Sequence, residues 1–136
     1  MGDYLMSVNG LPVAMITGGN GGIGFATARK LAAKGFRVIL ASRNQQTSAQ
    51  AIARIRASQP NASVESIPLD LASFASVRQC AAAFQAKGYP LHVLINNAGG
   101  SNPGKQARFT ADGFELTFGT NHLGHFLLTN LLLDDL

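Results

Sequence analysis

The stretch Ile16-Thr17-Gly18-Gly19-Asn20-Gly21-Gly22-Ile23-Gly24 sets a cluster of glycines between an apolar run and a helical pattern. A turn without side chains leaves backbone N–H groups open to an anion, and a helix starting there adds the positive end of its dipole. Between a strand and a helix, such a turn predicts a site for the pyrophosphate of a dinucleotide. Two registers fit: Gly19, Gly21 and Gly24 spell G-x-G-x-x-G, whereas Gly18, Gly22 and Gly24 follow Thr17 as T-G-x-x-x-G-x-G. Spacing does not choose between them. A phosphate-binding P-loop is disfavoured, because Phe25-Ala26 stands where Lys followed by Ser or Thr is required. The plain alternative is a tight glycine turn that holds no ligand.

Working outward, short β-branched runs alternate with longer helical patterns. Pro12 to Thr17 precedes 22–34, Arg37 to Ala41 precedes 45–58, Ser63 to Leu69 precedes 73–86, and Leu91 to Asn96 precedes 112–135. The runs Val13-Ala14-Met15-Ile16, Val38-Ile39-Leu40 after Arg37, and Val93-Leu94-Ile95 are continuously apolar, as strands covered on both faces should be. The predicted fold is α/β, a doubly wound parallel sheet with Rossmann topology that stops after the helix following the fourth strand. Residues 1–136 form one domain, with 1–11 as an N-terminal extension. Gly35, Pro60-Asn61 and Gly88 with Pro90 end the first three helices, and Ser73 caps the third. The long loop at 99–111 leaves the carboxyl end of its strand, where ligands bind in open α/β sheets.

The bulk numbers are those of a globular chain: 136 residues, 46% hydrophobic and 13% charged. Eleven Lys and Arg against seven Asp and Glu give +4, but the basic residues are scattered, so nucleic acid is not expected. Cys80 stands alone, which excludes an intrachain disulfide or a cysteine-based zinc cluster. His122 and His125 are spaced to share a helix face but lack a nearby third ligand, so no metal site is predicted. Residues 1–7 carry no targeting pattern, and the apolar stretch 123–133 is interrupted by His125, Thr129 and Asn130 and is too short to span a bilayer. The expectation is a cytoplasmic protein.

The end of the second strand selects the dinucleotide. An NAD site of this fold places Asp or Glu there to accept from the ribose 2'-OH. Here the strand ends Ala41-Ser42-Arg43-Asn44, so a guanidinium and a hydroxyl replace the carboxylate. Arg43 can hold a 2'-phosphate by two charge-assisted hydrogen bonds, and NADP(H) is predicted. The alternative for Arg43 is a solvated loop arginine.

Three further motifs follow in order: Asp70-Leu71 after the third strand, Asn96-Asn97-Ala98-Gly99 after the fourth, and Asn121 in the next helix. With Thr17-Gly18 they make the chain resemble the N-terminal portion of the short-chain dehydrogenase/reductase family over nearly its whole length. Residues 113–128 are similar to its retinol-dehydrogenase-like and protochlorophyllide-reductase-like branch, whose members act on bulky apolar substrates. The resemblance implies a cofactor site at Thr17, Gly18, Asn20, Gly22, Ile23, Gly24, Ser42, Arg43, Asp70, Leu71, Asn96, Asn97, Ala98 and Gly99. It sets Asp70 against the adenine amino group and Asn96 with Ala98-Gly99 beside the adenosine ribose. Asn121 would be the family's relay asparagine, which interrupts regular helical bonding and holds a water. Local roles compete: Asp70 can cap a helix, Asn-Asn-Ala-Gly can serve a tight turn, and Asn121 can be a polar residue satisfied within its helix.

The family's chemistry also needs a Ser and a Tyr-x-x-x-Lys. Tyr4 and Tyr89 are followed four residues on by Val8 and Val93, so the chain is expected to be catalytically incomplete and to stop short of that centre. The implied function is NADP(H)-dependent oxidation or reduction of a small alcohol or carbonyl substrate, with an apolar one favoured. The alternative is a non-catalytic dinucleotide-binding module or sensor. The apolar helix at 112–135 offers a surface for homo-oligomers, and a chain ending there is expected to be poorly stable or to self-associate alone.

Overall fold

Val13–Thr17 forms β1, and all five residues are buried because helices cover both faces of the strand. The computed structural model describes residues 10–136, so most of the expected extension at 1–11 lies outside the described residues. The chain continues through α1 (Gly22–Ala33), β2 (Arg37–Ser42), α2 (Gln45–Ser58), β3 (Val64–Pro68), α3 (Phe74–Gln85) and β4 (Val93–Ile95). All strands run parallel in the order β3-β2-β1-β4, with Val13 opposite Arg37, Thr17 opposite Ala41 and Ala14 opposite Val93. The order reverses between β1 and β4, the switch point at which a doubly wound sheet opens a crevice.

The continuous apolar runs are explained by two cores. Met15, Ile39, Val77, Phe84, Leu128 and Leu132 fill one face of the sheet. Ile16, Val38, Leu40, Ala28 and Ile55 fill the other. Neighbouring residues of a strand point to opposite faces, so both must be apolar when both faces are covered. Helix starts follow side-chain caps: Asn44 accepts from Thr47 N at 3.1 Å to open α2, and Ser73 accepts from Ser76 N at 3.3 Å to open α3. Cys80 lies buried in α3, and burial pushes its thiol up to about 12, which leaves it unreactive.

Two expectations need correction. The fourth strand has only three residues and is half-buried, because it is the edge of the sheet and its flanks are drawn out of the ladder. Leu91 N donates to Asp135 O, and Asn97 N donates to Ile95 O and to the Thr17 hydroxyl. The helix expected at 112–135 is divided into α4 (Leu116–Phe118), a π-helical turn (Gly119–Leu123), α5 (Gly124–Leu131) and a 3-10 turn (Leu133–Asp135). Residues 110–113 form a turn instead, and Phe109 bridges Glu115 ahead of α4.

Close approach at Gly119 and Gly124 accompanies this irregularity. A Cβ on Gly124 would stand 2.5 Å from Leu71 O, and one on Gly119 would overlap the Thr110 methyl. The segment thereby presses on the turn after β3 and inserts Leu128 and Leu132 into the core, while Phe118 and Phe126 remain exposed. No helix among the described residues is long and apolar enough to cross a membrane.

Gly124→Ala should therefore destabilise the fold by about 1–3 kcal/mol through overpacking against a backbone carbonyl. Gly100→Ala, with no heavy atom within 4 Å of the added carbon, should change stability far less. Denaturant unfolding of the two variants checks the contrast. Glu115 gives a second prediction, since its carboxylate accepts from Thr117 N at 3.0 Å and Phe118 N at 2.8 Å. The Phe118 amide first, then that of Thr117, holds its carboxyl below the ordinary carboxylate value. Its stabilising effect is complete above the unfolded-state pKa and is lost as pH falls through the lowered folded value. Amide exchange at Thr117 and Phe118, corrected for intrinsic pH dependence, should gain protection as pH rises through the acidic range. Glu115→Ala should abolish that gain.

Candidate functional site

The carboxyl ends of all four strands open onto a cavity of about 770 Å³. Gly18, Asn20 and Gly21 follow β1, Ser42 and Arg43 end β2, Asp70 and Leu71 follow β3, and Asn97, Ala98 and Gly99 follow β4. Leu116, Thr117, Thr120 and Asn121 form the facing wall. The topology thus gathers motifs that are far apart in sequence at the switch point.

The two glycine registers are resolved by conformation. Gly18 and Gly22 have φ of 65° and 53°, in the left-handed region that side chains disfavour. A Cβ on Gly24 would overlap Gly18 O and lie 2.6 Å from Asn97 Nδ2. Gly21 has open space around it, and a Cβ on Gly19 would meet the movable end of Leu40. The turn therefore needs the Gly18, Gly22, Gly24 register.

Thr17 anchors this turn. Its side chain is fully buried, and Oγ1 accepts from the backbone N of Asn97 and of Ala98, both at 2.9 Å. Asn97 Nδ2 donates back to Thr17 O at 3.0 Å, so the turns after β1 and β4 are fastened to each other. Asn20 Nδ2 donates to Thr47 Oγ1 at 2.7 Å and fastens the glycine turn to the first turn of α2.

At the end of β2, Arg43 is exposed and lines the cavity. The ion pair formed among the described residues is Lys87 with Glu65, distant in sequence from Arg43. Ser42, the hydroxyl that with Arg43 stands in place of the carboxylate, is engaged within the protein. Ser48 Oγ donates to Asn44 O at 3.0 Å, so the 2.5 Å contact between the two serines uses the Ser42 proton. Arg43 is left as the donor that faces outward.

Asp70 lines the cavity and accepts from Ala72 N at 2.9 Å. This makes a local turn, and Ser73 rather than Asp70 caps α3. Leu71 is buried beneath Gly124. Among the Asn-Asn-Ala-Gly residues, the Asn96 side chain turns away from Asn97 and Ala98, and its Nδ2 donates to Thr129 Oγ1 at 3.0 Å. Alternation along the strand end carries it to the far side, towards α5. Thr17, Gly22, Ile23 and Gly24 complete the turn whose Gly18, Asn20 and Gly21 line the cavity, and Ile23 is 80% exposed.

Asn121 sits within the π turn. Its Nδ2 donates to Gly100 O at 2.7 Å and its Oδ1 accepts from Gly100 N at 3.1 Å, a two-bond clasp on the loop after β4. The two histidines diverge: His125 points inward to Thr17 Oγ1 at 2.8 Å, while His122 stacks outside between Phe118 and Phe126. Among the described residues no group of three or more metal-ligating side chains converges.

Sequence reasoning missed Thr120, Arg108 and Phe109, which also line the cavity. Thr120 Oγ1 is buried without a hydrogen-bond partner, which marks the wall as suited to a polar group. No periodicity or motif flags these positions, because they come from the loop and the irregular helix. His125 was visible only as half of a metal spacing, since its partner is 108 residues away.

Known proteins are similar to this chain in sequence and fold. The family model described as short chain dehydrogenase matches residues 12–136. Human polyprenol dehydrogenase is 51% identical over 124 residues, covering 91% of this chain and 37% of that protein. The chloroplastic protochlorophyllide reductase of Chlamydomonas reinhardtii is 50% identical over 125 residues, covering 90% and 31%. A crystal structure of a metagenomic short-chain oxidoreductase in complex with NADP superposes with a TM-score of 0.78 at 29% identity, covering 91% of this chain and 56% of that one. The chain thus spans about a third of the length of these two curated relatives. From the glycine turn to the asparagine clasp, fold and sequence agree that this chain belongs to the short chain dehydrogenase family.

Proposed function

We propose that this chain is the cofactor-binding part of an NADP(H)-dependent oxidoreductase acting on a carbonyl or alcohol substrate. The observation that carries the reading is Arg43, exposed at the cavity where an NAD site would place a carboxylate. The cradle fits the cofactor. Gly21 and Gly22 have nothing within 4 Å of an added carbon, so their backbone is open to a pyrophosphate, while α1 begins at Gly22 with its dipole directed there.

In this reading Gly18, Asn20, Gly22, Ile23 and Gly24 border the pyrophosphate, and Arg43 holds the 2'-phosphate beside Ser42. Asp70 and Leu71 lie at the adenine, and Asn97, Ala98 and Gly99 lie along the ribose. Bound NADP(H) supplies the hydride chemistry at its nicotinamide. Thr17 holds the two turns in register, and Asn121 is the relay asparagine that keeps the loop at Gly100 against the reaction side. The names of the relatives, a polyprenol dehydrogenase and a protochlorophyllide reductase, favour an apolar substrate, as do Phe109 and Leu116 in the cavity wall. A cytoplasmic setting remains part of the reading.

The exposed ladder Phe118, His122 and Phe126, with ring centroids 5.2 and 6.2 Å apart, is proposed as the surface through which copies of the chain associate.

Nicotinamide fluorescence during titration with NADPH and NADH tests the cofactor. NADPH should bind more tightly, and Arg43→Asp should weaken it about ten- to hundredfold while leaving NADH nearly unchanged, given charged hydrogen bonds worth about 1.5–3 kcal/mol. Equal binding of the two cofactors, insensitive to the substitution, would remove the NADP assignment. A folded chain that binds NADPH but shows no turnover in its full-length natural form would point to the binding module or sensor instead. For the association surface, sedimentation should show concentration-dependent growth that Phe118→Ser with Phe126→Ser reduces. A parent chain that stays monomeric at high concentration would refute that surface.

A further inference from the structure

The hydrogen bonds at the head of β4 close a circuit through one histidine. Thr17 Oγ1 accepts from Ala98 N, the backbone runs on to Gly100, Asn121 clasps Gly100, and the ring of His125 joins Asn121 O to Thr17 Oγ1. The ring is buried, at 6% exposure, and its two nitrogens lie 3.0 and 2.8 Å from these partners.

The proton positions follow from what each partner can do. A carbonyl oxygen only accepts, so His125 Nδ1 carries the hydrogen that goes to Asn121 O. Both lone pairs of Thr17 Oγ1 already accept amides, so its own hydrogen is left for His125 Nε2. The competing acceptor, Ile95 O, stands 3.5 Å away, at the limit of a hydrogen bond. One tautomer satisfies the whole circuit, with the hydrogen on Nδ1 and the lone pair on Nε2.

We infer that His125 is a positioning residue for the cofactor site. It holds the π turn carrying Asn121 and the turn carrying Ala98 in fixed relation to the glycine turn. Without the ring, Thr17 would still bind the two amides, but Asn121 O and the Thr17 hydroxyl would lose the link that sets the distance between the cavity's two walls. This extends the NADP(H) reading and rests on it for the ligand, while the link itself is a property of the protein alone.

The first test is nitrogen NMR of the unsubstituted chain with isotope-labelled histidine. His125 should show a protonated Nδ1 and an unprotonated Nε2, and a hydrogen on Nε2 would overturn the proposed circuit. The second test measures NADPH affinity beside thermal stability. His125→Phe keeps a ring but no nitrogen and should weaken NADPH about tenfold. His125→Gln, which can still accept from Thr17, should recover part of that loss. Adding Thr17→Val to His125→Phe should cost less affinity than Thr17→Val costs alone, because the pair acts as a unit. A folded His125→Phe chain that melts earlier yet binds NADPH as the parent does would reduce His125 to a merely structural role and defeat the inference. If the unsubstituted chain binds no NADPH, the cofactor reading fails, and the tautomer measurement alone decides whether the link exists.

Discussion

One buried hydroxyl holds the site together. Thr17 Oγ1 receives the amides of Asn97 and Ala98 and meets His125 Nε2 at 2.8 Å, so the last residue of β1 organises the turn after β4 and the irregular helix beyond it. A hydroxyl can donate once and accept twice, and this one does all three with no water needed. Valine would fill the same volume in the strand but would leave the part-buried Ala98 amide without an acceptor and Asn97 N with Ile95 O alone, a cost of about 1–3 kcal/mol for the unsatisfied group. The constraint explains why a β-branched polar residue ends an otherwise apolar strand.

The glycine turn depends on that anchor. Gly18 stands against Ala98, where an added carbon would meet the Ala98 Cα at 3.1 Å, and Gly24 packs onto Gly18 O and Asn97. Close packing on the inner side leaves Gly21 and Gly22 open on the outer side, so one short segment is both tightly held and accessible. Charge is arranged in keeping with this. Arg43 faces the cavity from β2, and the nearby Ser42 and Ser48 hydroxyls are satisfied among themselves and the Asn44 carbonyl.

The fold was legible because its signals are local and repeated. Continuous apolar runs at Val13, Val38 and Val93 and capping residues such as Ser73 report on strands and helix ends within a few residues of themselves. The strand-end motifs were legible for the same reason, since each follows its strand directly. What escaped was non-local. Asn96 and Asn97 are neighbours, yet one reaches Thr129 and the other Thr17, and only strand geometry separates them. The division of the last helix was hidden as well, because a helical hydrophobic pattern does not reveal that Gly119 and Gly124 must press against Thr110 and Leu71.

That division is where fold and site meet. A π turn widens the helix by one residue, and such turns recur where a side chain or carbonyl must be turned to a task. Here the widened turn begins at Gly119, directly after the short α4 that Glu115 caps, and it ends where Gly124 lies against the turn carrying Asp70 and Leu71. Between these fixed ends, Asn121 reaches the loop at Gly100 with its side chain and His125 with its carbonyl. A regular helix would rotate Asn121 by about 100° for each residue of shift, so it could not keep Leu128 in the core and Asn121 on the cavity wall together. The irregularity therefore reconciles two demands on one helix, a buried apolar stripe below and a polar clasp above, and the glycines at its ends allow the backbone to come close enough for both.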